Sequence, residues 1–181
     1  MTVETAVRRI EAWLAQSAPG LAAALRAPAG EDELSALEVT LRRPIPPDLA
    51  AWLRRHNGQE PNQFAVFGDY SPLGAREIAA EWKTSCEFPA EWEPPGSPAV
   101  RSGWYRDGWI PFASTGGGDL LVVDTEPGPD GRVGQVLDWR HDHHARPVVA
   151  PDLSTWLAGL ADELEAGLWS VDPVGFLLGP E

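Results

Sequence analysis

Apolar residues return at helical spacing at Val3, Val7, Ile10, Trp13 and Leu14, which predicts a first amphipathic helix. Ser17 to Gly20 stops it, and Leu21 to Leu25 suits a second short helical piece. Glu31, Asp32 and Glu33 place negative charge where a helix N-terminus favours it, ahead of a stripe at Leu34, Leu37 and Leu41. Arg42 and Arg43 are expected in the last turn of that helix, with Pro44 ending it. Pro47 and Asp48 open the next helix, Leu49, Trp52 and Leu53 form its buried face, and Asn57-Gly58 is expected to close it. Gln63 to Phe67 reads as a strand and Arg76 to about Ser85 as a helix with Ile78 and Trp82 inward. Asp152 caps a final helix whose stripe runs Leu153, Trp156, Leu157, Leu160, Ala161 and Leu164.

Between these helices the period changes. Trp109 to Ala113 and Leu120 to Val123 are short apolar runs separated by Gly116, Gly117 and Gly118, the pattern of two strands joined by a glycine turn. In the second run Leu120 and Val122 point one way and Leu121 and Val123 the other. A strand apolar on both faces is central and covered on both sides, and helices are expected to supply both covers. A dense turn from Glu126 to Gly131 leads to a returning strand, Val133 to Trp139, and Pro147 to Ala150 is a short last strand. The expected core contains Leu37, Leu41, Trp52, Leu121, Val123, Val136, Trp156 and Leu160, and at least one of the three glycines is expected at positive φ. The stretch from Phe88 to Gly103 carries four prolines and no period, so it reads as a long loop, either a functional segment or a tolerated insertion.

The chain of 181 residues is long enough for one domain with a sizeable core. Nine tryptophans exceed what one core needs, so some are expected at a partner surface. The single cysteine, Cys86, cannot form an internal disulfide and is expected to be buried or inert. No apolar run reaches membrane-spanning length and the N-terminus lacks the pattern of a secretory signal, which points to a cytoplasmic protein. A formal net charge of -13 argues against direct nucleic-acid binding and suits solubility or a basic protein partner.

At this point the motifs carry a resemblance. Pro47 to Leu53 followed by His56, Asn57 and Gly58 resembles the proline-led helix of the SUKH superfamily, and more narrowly its Smi/Knr branch, named for a fungal cell-wall-assembly regulator. Trp109, Pro111, Gly118, Asp119 and Asp124 are similar to that family's central pattern. Gly134 to Val136 with His141, and Asp152 to Leu157, resemble its next strand and closing helix. The similarity covers about residues 31 to 166, leaving a helical extension before it and a tail, 167 to 181, whose apolar residues suggest docking. The resemblance implies an α+β fold, a mainly antiparallel sheet wrapped by N-terminal helices and a C-terminal helix, in one domain over 1 to 181. It also implies a non-catalytic protein-binding module. Its first form is an immunity protein neutralising a toxin domain, such as a nuclease, of a bacterial polymorphic toxin system. The alternative is an intracellular regulatory or scaffold protein of the cell-wall-regulator type.

The chemistry of the residues agrees with a binding role. No nucleophile elbow occurs, and the glycine run lacks the Lys and Ser or Thr of a phosphate loop; Asp119 follows it instead. Strand alternation would set His141 and His143 on one side, as in half of a zinc site, but no motif supplies the remaining ligands. No cofactor and no metal is expected. For a protein partner the candidate residues are Asp69, Tyr70, Trp92, Trp104, Tyr105, Arg106 and Asp107, which combine the aromatic and charged types that dominate tight interfaces.

Overall fold

A computed structural model of the chain describes residues 1–61, 64–87 and 95–180. Helix α1, Val3–Ser17, starts at Thr2, whose side chain accepts the Thr5 backbone N–H, and buries Val3, Val7, Ile10 and Leu14. Helix α2, Pro19–Ala24, follows at once. Helix α3, Glu31–Leu41, ends on Arg42, which adopts a left-handed φ of 56°. Arg42 and Arg43 thus lie beyond the helix rather than in its last turn: the left-handed residue turns the chain towards Pro44. Helix α4 is Pro47–Leu53, with Pro47 in its first turn.

The expectation for Asn57 and Gly58 needs correction. Helix α4 stops at Leu53, four residues early, and Gly58 caps nothing. Its φ of 77° and its packing serve a different contact, since a Cβ there would lie 2.4 Å from the Gly74 backbone nitrogen. Asn57 accepts the Ala75 N–H at 2.8 Å and donates to Glu33, so this corner fastens the segment after α4 to the start of the next helix. No strand occupies the described part of 63 to 67. Gln63 lies outside the described residues, and Phe67 makes a single bridge to Tyr70 before strand β1, Ser71–Pro72.

Helix α5, Ala75–Glu87, buries Ile78 and Trp82 as the spacing required. The sheet continues with β2, Trp109–Ser114; β3, Leu120–Asp124; β4, Gln135–Trp139; and β5, Val148–Ala150. Its five strands lie in chain order and every pair is antiparallel. Strand β3 is central and all five of its residues are buried. Pro111 is accommodated because β2 has a register shift at that point and β1 pairs only with Ser114 and Ala113. Gly116 and Gly118 take φ of 74° and 110° in the turn, and a Cβ on Gly118 would press on the His141 ring at 3.1 Å.

Helix α6, Leu153–Glu165, begins on Asp152, which accepts the Thr155 N–H at 2.8 Å. The tail forms a hairpin of β6, Ser170–Val171, and β7, Leu177–Leu178. It docks through Leu177 and through Trp169, whose ring lies against Gly68 and Gly179. The architecture is α+β, six helices and a five-stranded antiparallel sheet among the described residues.

The two faces of the sheet are covered differently. Ile110, Phe112, Leu121, Val123 and Val136 join the helices in one large core, in which α5 and α6 lie nearest the strands, α3 packs on α5 and α1 on α6. Val100, Trp109, Leu120, Val122, Leu137 and Trp139 form a second core on the opposite face, closed by Ala99, Trp104 and Tyr105. Helices therefore do not cover both sides. An irregular segment does the second job, because its aromatic residues supply apolar area without needing a period. Of the expected core residues all are buried except Trp156, which is half-buried and packs edge-on against Phe67 and Phe112.

Candidate partner-binding cleft

Three segments converge at the end of β3 that carries Asp124: the approach to α4, the β3–β4 turn and the start of α6. Between them lies a cleft of about 580 Å³. Its floor is apolar, with Ile45, Pro46, Pro47, Val123 and Leu153. Its rim carries both signs of charge, Arg43 and Arg132 against Asp48, Glu126 and Asp152.

The prolines build the wall. They fix the chain in an extended approach to α4 and present ring surface where backbone N–H groups would otherwise need partners. The rim charges are mostly held by structure. Arg43 donates to Thr125 Oγ1 and Glu126 Oε1, both at 2.9 Å, and its other nitrogen lies 3.4 Å from Asp107. Asp48 accepts the Ser154 N–H, tying α4 to α6. Asp152 takes hydrogen bonds from Thr155 and Ser154 that hold its carboxyl below the usual range. Arg132 is looser, 71% exposed at the side chain and 4.0 Å from Asp152, and beside it Val133 stands 68% exposed on the lip. No cysteine, serine or histidine lines the cleft; its polar side chains are those of Arg, Asp, Glu and Thr.

The residues expected from sequence are spread over three places. Asp107 reaches the cleft rim through Arg43, and Trp82 Nε1 donates to its backbone carbonyl. Arg106 is half-buried and donates to the Ser102 carbonyl. Trp104 and Tyr105 lie on the second core, edge-on to Trp139, and the Tyr105 hydroxyl donates to the Trp109 carbonyl at 2.7 Å. Asp69 and Tyr70 stand just before β1, towards the Leu120 end of β3 and away from Asp124; the Tyr70 hydroxyl donates to Asp138 at 2.8 Å. Burial first, and then that carboxylate, push the Tyr70 hydroxyl well above its ordinary range. Trp92 lies outside the described residues.

The remaining motif residues are held within the fold. Trp109 is fully buried in β2. Asp124, also fully buried, accepts the Glu126 N–H and a Gln135 amide N–H, both at 2.9 Å, while burial pushes its carboxyl upwards. Asp119 accepts from His141 Nδ1 at 2.9 Å. Burial opposes ionisation of Asp119, but the His141 bonds outweigh it and hold the carboxyl below its usual range.

The alternation proposed for His141 and His143 does not apply, because β4 ends at Trp139. His141 turns to Asp119, while His143 accepts the Ala145 N–H and stacks on His144. Asp119, His141 and Asp142 do bring ligand atoms within 4.8 Å of one another at the surface, a grouping alternation could not reveal. Cys86 is exposed rather than buried; desolvation at its sulfur and the nearby Asp107 push the thiol up to about 11, which keeps it protonated.

Sequence reasoning missed the cleft itself. The signals were present in Pro44 to Pro47 and in Arg132-Val133 before Gly134, but only the fold sets them face to face.

Residues 28–159 match the SMI1 / KNR4 family model, SUKH-1. Similar curated relatives include the glucan synthesis regulatory protein of Neurospora crassa, 26% identical over 94% of this chain and 40% of its own length. The cell wall biosynthesis/cell cycle regulator smi1 of Schizosaccharomyces pombe is 29% identical over 91% and 36%. The cell wall assembly regulator SMI1 of Saccharomyces cerevisiae is 23% identical over 90% and 40%. This chain spans about two fifths of the length of these relatives.

Proposed function

Because the chain belongs to the SMI1 / KNR4 family (SUKH-1), we propose that it is a non-catalytic, single-domain protein-binding module of the intracellular regulatory or scaffold type. The observation that carries this reading is the cleft between α4, the β3–β4 turn and α6: an apolar, proline-walled floor with a rim of mixed charge. The relatives named above are regulators by name, and none of those names describes an enzyme. No helix among the described residues is long and apolar enough to cross a membrane, which fits work on a soluble partner in the cytoplasm.

In this reading Val133 and Arg132 on the lip make first contact and Asp107, braced by Arg43, borders the same surface. The test is site-specific photo-crosslinking from position 132, on the same lip, in cells of the source organism. A discrete adduct that Val133→Asp removes, while Val39→Asp on the exposed side of α3 leaves it, is the expected result. An adduct indifferent to the lip substitution, in protein of unchanged melting temperature, sinks the reading.

The charge of -13 favours a second reading, an immunity protein blocking a basic toxin domain. Opposite charges would then steer association, so its rate should fall steeply between low and physiological salt. A toxin gene immediately beside this one, and rescue of toxin-expressing cells by this chain, would select it over the regulatory reading.

A further inference from the structure

Among the described residues Arg146 is the only basic side chain classed with the buried polar groups, at 9% exposed. None of the described ion pairs includes it. In a chain with 27 acidic residues and 14 Lys and Arg, a buried guanidinium without a carboxylate partner is not an accident of supply.

Its donors can be accounted for. Nη1 donates to the carbonyls of His143 and Ala145, and Nη2 to that of Trp104 at 3.3 Å. Nε is buried and has no partner. A guanidinium has five N–H groups. That leaves the hydrogen on Nε and one on Nη2, and these two nitrogens share the edge of the guanidinium that can grip a carboxylate as a fork with two parallel hydrogen bonds. The rings of Trp104 and Trp139 flank the cation, 5.5 and 5.1 Å from its centre, and keep it in place by cation–π attraction. Burial has pushed Arg146 down to about 10, so it remains charged at neutral pH while lacking the anion that would offset its desolvation.

Arg146 lines a pocket of about 300 Å³ with Pro95, Ser97, Val100, Arg101 and Pro147. The walls are largely apolar. Arg101 adds positive charge, although its Nε is spent on the Pro127 carbonyl. The pocket opens beside Val148, the first residue of edge strand β5, which has no strand partner on its outer side among the described residues.

We propose that this pocket is a carboxylate-binding subsite, in which the free Nε and Nη2 edge of Arg146 holds a singly charged carboxylate carried on a small apolar body. A planar carboxylate matches one two-donor edge. A phosphate would bring more charge and more oxygens than one two-donor edge can satisfy. The carboxylate can come from a free organic acid or from the C-terminus of a peptide laid beside β5. This subsite is separate from the cleft at α4 and does not depend on the regulatory reading.

The experiment follows the Arg146 Nε–H resonance of the full chain by nitrogen-15 NMR, with tryptophan fluorescence as a second readout. The probes are benzoate, its uncharged counterpart benzamide, and a short acetylated peptide ending in valine, with either a free or an amidated C-terminus. Benzoate should shift the resonance saturably and benzamide should not. Tighter binding of the free-ended peptide than of benzoate identifies a chain terminus as the source; equal or weaker binding identifies a free acid. Arg146→Lys, which keeps the charge but loses the fork, should weaken binding at least about tenfold. Should Arg146→Lys fail to fold, Arg101→Gln is the second variant; loss of its neighbouring charge should weaken benzoate without removing the Arg146 shift. No saturable shift with either carboxylate at tens of millimolar, or an equal shift with benzamide, overturns the proposal.

Discussion

Gly58 shows what a single residue can be required for. Its φ of 77° is strained for any other residue, and its missing side chain admits the Gly74 backbone at a distance no Cβ permits. Gly58→Ala should therefore destabilise the protein by at least about 1–3 kcal/mol, read as a lower urea midpoint at unchanged slope. Trp52 and Trp156 provide a graded pair. Trp52, 2% exposed, should lose ~3–5 kcal/mol on truncation to alanine. Half-buried Trp156 should lose clearly less in the same urea titration. The sequence announced both tryptophans as inward, since both fall on helical stripes. It could not rank them, because the loop carrying Phe67 decides how much of Trp156 is covered. Nor could it explain Gly58: an Asn-Gly pair after a helix looks like a cap, and the contact that demands glycine comes from a residue sixteen positions later.

At the scale of elements, the long helices were legible because a 3.6-residue period survives in α1, α3 and α6, and β3 was legible because it is apolar on both faces. The cover of the second sheet face was not. It has no period, and its order comes from rings meeting Trp139 some thirty-five residues away. Strand β1 was misplaced for a related reason: two residues pairing with Ser114 and Ala113 leave no alternation to detect. The partner cleft was hidden because its walls come from three separate elements. Helix α1 permits a pH prediction. Glu11 accepts two 2.7 Å bonds from Arg55 and one of 2.6 Å from His56, whose other ring nitrogen faces the Arg26 carbonyl. Burial opposes ionisation of Glu11, but these partners outweigh it and its carboxyl titrates below the ordinary range. A carboxyl depressed in the folded state contributes stability that is present above its unfolded pKa, near ~4.3, and is lost as pH falls through the lower folded value. Glu11→Gln should thus lower the melting temperature at pH 7 and flatten its decline on acidification. Thermal melts at half-unit steps from pH 7 to 3 provide the check; parallel curves for the two proteins would contradict it.

For the whole molecule the acidic excess matters more than any one ion pair. Pairs such as Arg54–Glu31 and Arg140–Asp138 are well exposed on at least one side and contribute little each. The remaining negative charge repels itself, and added salt screens that repulsion together with the weak pairs. Raising sodium chloride from low to physiological strength should therefore increase the melting temperature by a few degrees. A decrease would show that the surface pairs outweigh the self-repulsion.

The pairing of α1 with α6 has a consequence for how the molecule is made. Arg9 on α1 meets Asp162 and Glu165 on α6, and the apolar face of α1 lies in the core that α6 completes. The sheet is different: each strand's neighbour is the next one to leave the ribosome. During synthesis the strands can pair as they emerge, and α1 can meet α2 and α4 early, but its main packing partner begins roughly 140 residues after it. At 5–20 residues per second that is on the order of 10–30 s before α6 can complete the cover of α1. The nascent chain passes through a stage in which α1 has only part of its final cover. A chaperone that binds exposed apolar helix faces should find the α6-facing side of α1 there and release it once α6 has been translated.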